Sequence, residues 1–285
     1  MQKQMPKNKK VGLALGGGGA KSFAHLGVIK VLQENNIPID YLATCSGGSI
    51  MGSMIAGGVS VDDIMEEFYK TVKKINWLRP KINMQGFISQ QNIKSILMKF
   101  CEDSSIEDLS IPLGIVATNL NEGKLRVFTE GNLISAVCAS SAFPGIYQPV
   151  EIEGELYVDG GVLNSTPADV CREKVGRKGI VISISLDDKL NSTIYKNNTF
   201  GIVYRSLYIP LIANRKKIIS ENSDIIINVF NDQDFNFSNW RDTLRFYSEN
   251  KMQKFYLKGR EEANKRIEEI KDAVVENKSN FKEES

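Results

Sequence analysis

Apolar positions in this chain fall in short blocks whose spacing switches repeatedly between a strand period and a helix period. Val11, Leu13, Ala14 and Leu15 form a continuous run stopped by glycines, which predicts a buried strand. Over residues 20–35, Phe23, Leu26, Ile29 and Leu32 recur at helical spacing. Residues 40–45 predict a second strand, and residues 48–57 a helix of small side chains suited to close packing. Residues 61–75 predict another helix, with Asp62 and Asp63 at its positive end. Residues 77–87 carry no period, and residues 89–101 are helical again. A buried strand follows over 112–119, then a half-exposed alternating strand over 124–129. A short helix spans 132–141. Residues 150–152 and 156–158 flank Glu153-Gly154-Glu155 as a hairpin. A strongly buried strand spans 179–186. Residues 199–221 predict a helix interrupted at Pro210, residues 224–229 a strand, and residues 239–277 a helix that becomes increasingly charged.

Strands that alternate with helices imply a largely parallel sheet covered on both faces. The expected fold class is α/β, a three-layer α/β/α sandwich with a mainly parallel central sheet. The expected organisation is a flexible basic leader over 1–10 and a catalytic domain over 11–230. A C-terminal helical extension with a charged tail, 231–285, packs on the same domain.

Composition narrows the function classes. Lysine and arginine total 36 against 34 acidic residues, so no global field favours nucleic acid. Lys3, Lys7, Lys9 and Lys10 read as a solvated leader, because the apolar run after them ends too soon for a signal sequence. No apolar stretch reaches membrane-spanning length. Cys45, Cys101, Cys138 and Cys171 are scattered without zinc spacing, and read as reduced thiols of a cytoplasmic protein. Asp232-Gln233-Asp234 resembles the start of a calcium loop but lacks its glycine and terminal glutamate, so no metal is expected. No cofactor is expected either.

The chemistry-bearing residues lie between these elements. Thr44-Cys45-Ser46-Gly47-Gly48 joins a predicted strand to a small-residue helix, the context of a nucleophile elbow. An α/β-hydrolase would place its histidine base after that serine. The chain has one histidine, His25, and it comes before. Gly16-Gly17-Gly18-Gly19 lies between a strand and a helix and can aim N–H groups at a phosphate or an oxyanion, or serve as a plain tight turn. Neither the dinucleotide fingerprint nor the P-loop pattern fits it. Asp159-Gly160-Gly161 follows another strand.

Together these elements resemble the patatin-like phospholipase family over residues 11–187. Gly16 to Ile29 looks like its oxyanion block, Thr44 to Gly48 like its GxSxG elbow, Ala139 to Pro144 like its third block, and Asp159-Gly160-Gly161 like its DG[AG] motif. The resemblance implies a Ser46–Asp159 dyad with Asp159 as base. It also implies an oxyanion hole of Gly17, Gly18 and Gly19 N–H groups, and a phospholipid or lysophospholipid substrate. Burial is expected to lift the carboxyl above the ordinary 3.9 or so. Three residues depart from the pattern. Thr44 and Ser22 stand where glycine is usual, and Lys21 where arginine is common. Thr44 is expected to crowd the elbow. Lys21 is read as support for an oxyanion or phosphate, or as a salt bridge on the first helix.

Alternatives remain at this level: a transacylase using the same acyl-serine, a lipid-binding protein with a degenerate site, and nucleotide binding at the glycine turn. His25 is read as structural. Trp77, Leu78, Met84 and Phe87 are read as a lid or acyl-binding wall, or as a satellite core. Ile202, Val203, Leu207, Tyr208, Leu211 and Ile212 with Arg215, Lys216 and Lys217 are read as packing on the sheet, with peripheral membrane contact as the alternative.

Overall fold

The computed structural model describes residues 9–74, 90–186, 199–230 and 248–275. Residues 1–8, the Trp77 to Phe87 cluster, Asp232-Gln233-Asp234 and the tail from 276 lie outside them.

The strands are β1 (Val11–Leu15), β2 (Tyr41–Cys45), β3 (Leu113–Asn119), β4 (Lys124–Phe128), β5 (Val150–Ile152), β6 (Glu155–Asp159), β7 (Ile180–Ser185) and β8 (Ile225–Asn228). The helices are α1 (Phe23–Glu34), α2 (Gly47–Ala56), α3 (Val61–Lys74), α4 (Gln91–Cys101), α5 (Leu133–Ser140), α6 (Ala168–Val175), α7 (Thr199–Asn222) and α8 (Glu249–Val274). All strands join one sheet, hydrogen-bonded along the path β5-β6-β3-β2-β1-β7-β8, with β4 also on β3. β3, β2, β1, β7 and β8 are mutually parallel, and β4, β5 and β6 pair antiparallel. The fold is α/β with a mixed, mainly parallel sheet and helices on both faces.

Side-chain alternation along β1 divides the two layers. Leu13 and Leu15 face a core shared with α1, α2, α3, α4, α5 and α8, whereas Ala14 faces α6 and α7. α8 is the most charged helix, yet Met252, Phe255, Gly259, Ala263, Ile267, Ile270 and Val274 are buried at three- and four-residue spacing. Its backbone lies directly on α1. A β-carbon at Gly27 would stand 2.1 Å from the Tyr256 carbonyl oxygen, and one at Gly259 would stand 2.0 Å from that of Ala24. Only glycine permits this crossing, which braces the helix that leaves the glycine turn.

Three expectations need correction. The sequence pattern missed α6, because its buried residues Ala168, Val170, Cys171 and Val175 cover too few turns to reveal a period. Pro210 does not interrupt α7. Its ring is on the exposed side, where water can satisfy the carbonyl it leaves unbonded. The last helix does not run unbroken from residue 239, since Ser248 is extended (φ −113°, ψ 146°) and α8 begins after it. In α7, Ile212, Arg215 and Ile219 are buried, and Ile202 and Ile209 are exposed. No helix among the described residues is long and apolar enough to cross a membrane.

Candidate active site

Ser46 sits where β2 turns into α2, at φ 53° and ψ −125°. A serine there is strained, by roughly 1–3 kcal/mol, and persists only where its surroundings hold it. They do so through buried serines. Ser46 N–H donates to Ser140 Oγ at 2.9 Å, and Ser140 Oγ lies 2.8 Å from Ser49 Oγ. The Ser46 carbonyl accepts the first N–H of the α2 ladder, from Ser49, at 2.8 Å.

Register brings the aspartate to this serine. β2 pairs with β3 as far as Cys45↔Val116, and β6 pairs with β3 from Asn119 back to Asp159↔Ala117. β4 pairs with β3 at all the residues from Ile115 to Asn119, so it fills the other edge. β2 and β6 therefore lie end to end along one edge of β3, and their last residues meet. Ser46 Oγ donates to Asp159 Oδ2 at 2.6 Å. Gly161 N–H donates to Oδ1 at 2.7 Å, and the Cys45 thiol lies 3.7 Å from the same oxygen. Asp159 is 1% exposed. Burial pushes its carboxyl up from 3.8 to about 6, against the lowering effect of these donors.

The glycine turn approaches from β1. A β-carbon at Gly17 would stand 3.1 Å from Ser46 Cβ, so the turn lies directly on the serine. The three glycines are not equivalent. Gly17 N–H donates to the Ser165 carbonyl at 2.8 Å, so its one proton is already engaged. Among the described residues, Gly18 and Gly19 N–H groups meet no backbone acceptor outside their own turn. Gly19 adopts φ 55°, which suits glycine.

His25 braces the same turn. Its Nε2 lies 2.7 Å from the Gly16 carbonyl oxygen. A carbonyl only accepts, so Nε2 carries the proton. Nδ1 is buried without a hydrogen-bond partner among the described residues. Burial lowers the ring's pKa to about 4, so it is neutral at physiological pH. The hydrogen bond from Ser46 Oγ goes to Asp159, not to this ring. His25→Gln is expected to cost on the order of 1 kcal/mol of stability if one hydrogen bond is lost, and to leave kcat within about a few-fold, against the hundredfold loss expected of a base. The check is kcat at a temperature where circular dichroism shows the variant folded. A collapse in kcat there would bring histidine into the chemistry.

The departures from the motif pattern are accommodated. Thr44 lies inside β2, where its hydroxyl donates to the Gly114 carbonyl at 3.3 Å. Its methyl fills the space that Gly52 of α2 leaves open, 2.6 Å from where a β-carbon would stand. The elbow is not crowded. Likewise Ser22 Oγ lies 2.3 Å from the absent β-carbon of Gly47. Gly48 lets α2 rest on the end of β1, 2.5 Å from the Leu15 carbonyl oxygen measured from its absent β-carbon. Lys21 is 5% exposed, with its ammonium 5.3 Å from the Phe230 ring centroid. Cys45 is fully buried, and its thiol is pushed well above its ordinary value, which makes it a poor nucleophile.

Sequence reasoning assigned no role to Ser49, Ser140, Ser165 or Tyr147. Tyr147 is raised by burial and by the nearby Asp159 charge. Ser140 and Ser141 do fall in the block Ala139 to Pro144 that resembles the family's third motif, and the serine doublet after an apolar helix is its local signal. A cavity of about 460 Å³ lined by Lys10, Asp40, Tyr41, Leu113 and Lys174 lies at the opposite, N-terminal ends of the parallel strands and takes no part in the site.

Residues 13–172 match the family described as Patatin-like phospholipase. An uncharacterised NTE family protein of Mycobacterium tuberculosis is 37% identical over 164 residues, covering 55% of this chain and 44% of that protein. The patatin-like phospholipase domain-containing protein 6 of Mus musculus is 30% identical over 199 residues, covering 67% of this chain and 15% of that one. The chain thus spans less than half the length of these curated relatives. The crystal structure of VipD from Legionella pneumophila superposes with a TM-score of 0.44 at 14% identity, covering 91% of this chain and 67% of that one.

Proposed function

This chain belongs to the patatin-like phospholipase family, and we propose that it is a serine acyl hydrolase cleaving ester bonds of phospholipids or lysophospholipids. The observation that carries the reading is the 2.6 Å hydrogen bond from Ser46 Oγ to a buried Asp159 at the end of a strained elbow. Ser46 Oγ attacks the ester carbonyl as its proton passes to Asp159 Oδ2. The carbonyl oxygen becomes an oxyanion held by Gly18 and Gly19 N–H groups and by the positive end of α2. Collapse of this adduct expels the alcohol, which takes the proton back from Asp159. Water then gives a proton to Asp159 and attacks the acyl-serine; the acyl–Oγ bond breaks, Asp159 returns the proton to Ser46 Oγ, and the fatty acid leaves. With an alcohol in place of water the same intermediate gives acyl transfer.

The test is labelling with a fluorophosphonate, followed by mapping of the modified residue and product analysis on phospholipid vesicles with and without an added alcohol. Modification at Ser46 with release of free fatty acid is the expected outcome. Modification elsewhere, or no turnover, would sink the assignment. No step calls for a Lewis acid, so turnover is expected to persist in EDTA. Activity lost in EDTA and restored by one cation would oppose this.

The carboxyl at about 6 sets a pH profile. Asp159 works as a base only when ionised, so kcat/KM is expected to rise with pH through about 6 and level off above it. An acid limb lying near 4, or activity that increases as pH falls below 6, would contradict a buried aspartate base.

A further inference from the structure

We infer that the segment Ser140–Ser141–Ala142, at the end of α5, is the clamp that sets the Ser46–Asp159 distance, and that Ser140 is a positioning residue for acylation. The inference rests on the hydrolase reading above and adds a role for residues that do not touch substrate.

Within three residues, this segment ties the backbone of both partners. Ser46 N–H donates to Ser140 Oγ at 2.9 Å, and Asp159 N–H donates to the Ala142 carbonyl at 3.0 Å. Ser141 Oγ lies 2.7 Å from the Val137 carbonyl and 3.3 Å from that of Ser46, so its proton goes mainly to its own helix and anchors the segment to α5. Ser140 is fully buried, and its Ser49 contact at 2.8 Å fixes the hydroxyl from the α2 side. Ladder pairing reaches Asp159, the last paired residue of β6 opposite Ala117, but it does not reach Ser46. β2 pairs with β3 only to Cys45, and Ser46 lies beyond it at a positive φ. Without Ser140 the Ser46 amide loses its acceptor, and a strained residue loses the contact that opposes its relaxation. α5 itself is anchored by Asn132, whose side chain accepts the Ser135 N–H at 2.9 Å, and by the buried Leu133, Val137 and Ala139. A rigid helix end is a suitable reference from which to place two reacting groups to within a fraction of an ångström.

A buried serine that is merely structural would affect folding, not the rate of reaction at Ser46. Ser140→Ala is therefore compared with Ser53→Ala. Ser53, on α2, is likewise fully buried, but among the described residues its hydroxyl bonds only the Ile50 carbonyl of its own helix, at 3.1 Å. The readouts are thermal midpoint, the rate constant for fluorophosphonate labelling of Ser46, and kcat and KM on a soluble ester. Both variants are expected to lose some stability. Ser140→Ala alone is expected to slow labelling and kcat together, by about ten- to a hundredfold, with KM nearly unchanged. Ser140→Cys keeps the shape but offers a poor acceptor, so it is expected to be slow as well, and it answers the question if the alanine variant does not fold. A folded Ser140 variant labelled at the wild-type rate would overturn the clamp, as would an equal loss of rate in Ser53→Ala. Absence of Ser46 labelling in the unmodified protein would instead overturn the hydrolase reading and the clamp with it, and that result is seen before any clamp variant is compared.

Discussion

Ser46→Ala is expected to abolish both fluorophosphonate labelling and ester hydrolysis while leaving the protein folded. Loss of a covalent nucleophile typically removes about four or more orders of magnitude in kcat, down to what oxyanion donors and binding supply alone. The fold is expected to survive because Ser46 is partly exposed and contributes one side-chain hydrogen bond. Its strained φ of 53° remains in the alanine variant, so that variant is not expected to gain stability from the backbone. One further consequence concerns the partner. The Ser46 hydroxyl is among the donors that hold the Asp159 carboxyl down, so its removal is expected to move Asp159 upward. Labelling that persisted at Cys45 in this variant would overturn the assignment, and the burial of that thiol is the physical reason not to expect it.

Asp159→Asn is expected to lower kcat by roughly a hundred- to ten-thousandfold, the range typical of losing a general base. The amide keeps the shape, but its single oxygen can accept from Gly161 or from Ser46 and not from both, and it cannot take up the proton. Stability is expected to move the other way. The folded-state pKa of Asp159 is raised, from 3.8 to about 6, so ionising it costs folded stability. Below about 3.8 both states are protonated and the cost is absent; it grows between 3.8 and 6 and is complete above 6. Asparagine removes that cost, which for a shift of this size is on the order of 1–3 kcal/mol. The thermal midpoint of Asp159→Asn is therefore expected to match or exceed wild type above pH 6, with the advantage shrinking as pH falls toward 4. Near-normal turnover in the folded variant would eliminate the dyad. A midpoint that dropped most at high pH would contradict the burial argument.

The two variants together separate a working site from a degenerate one. The case for degeneracy rested on Thr44 and Ser22, where glycine is usual. In the folded chain each large residue is matched by a glycine of α2: Thr44 by Gly52 and Ser22 by Gly47. Close packing conserves volume rather than identity, so these departures need not distort the elbow.

Much of this architecture is legible in the chain itself. The continuous apolar runs of β1 and β7, the half-exposed alternation of β4 and the helical spacing in α1 are local periods, and local periods follow from which side chains must leave water. The elbow, the glycine turn and the aspartate turn are likewise local, because each needs particular residue types at adjacent positions. Short elements such as α6 were not legible, since too few residues carry the period. Nor were the relations between distant segments. The meeting of Ser46 and Asp159 depends on β2 and β6 sharing one edge of β3, and register between strands more than a hundred residues apart leaves no trace in either strand's own pattern. The engagement of the Gly17 N–H depends on a carbonyl at Ser165, and the hold on the Ser46 N–H depends on Ser140. The physical reason is common to all three. Hydrophobic period fixes which face of an element is buried, but a hydrogen bond is made only when packing has brought a specific donor and acceptor together, and that placement belongs to the tertiary structure.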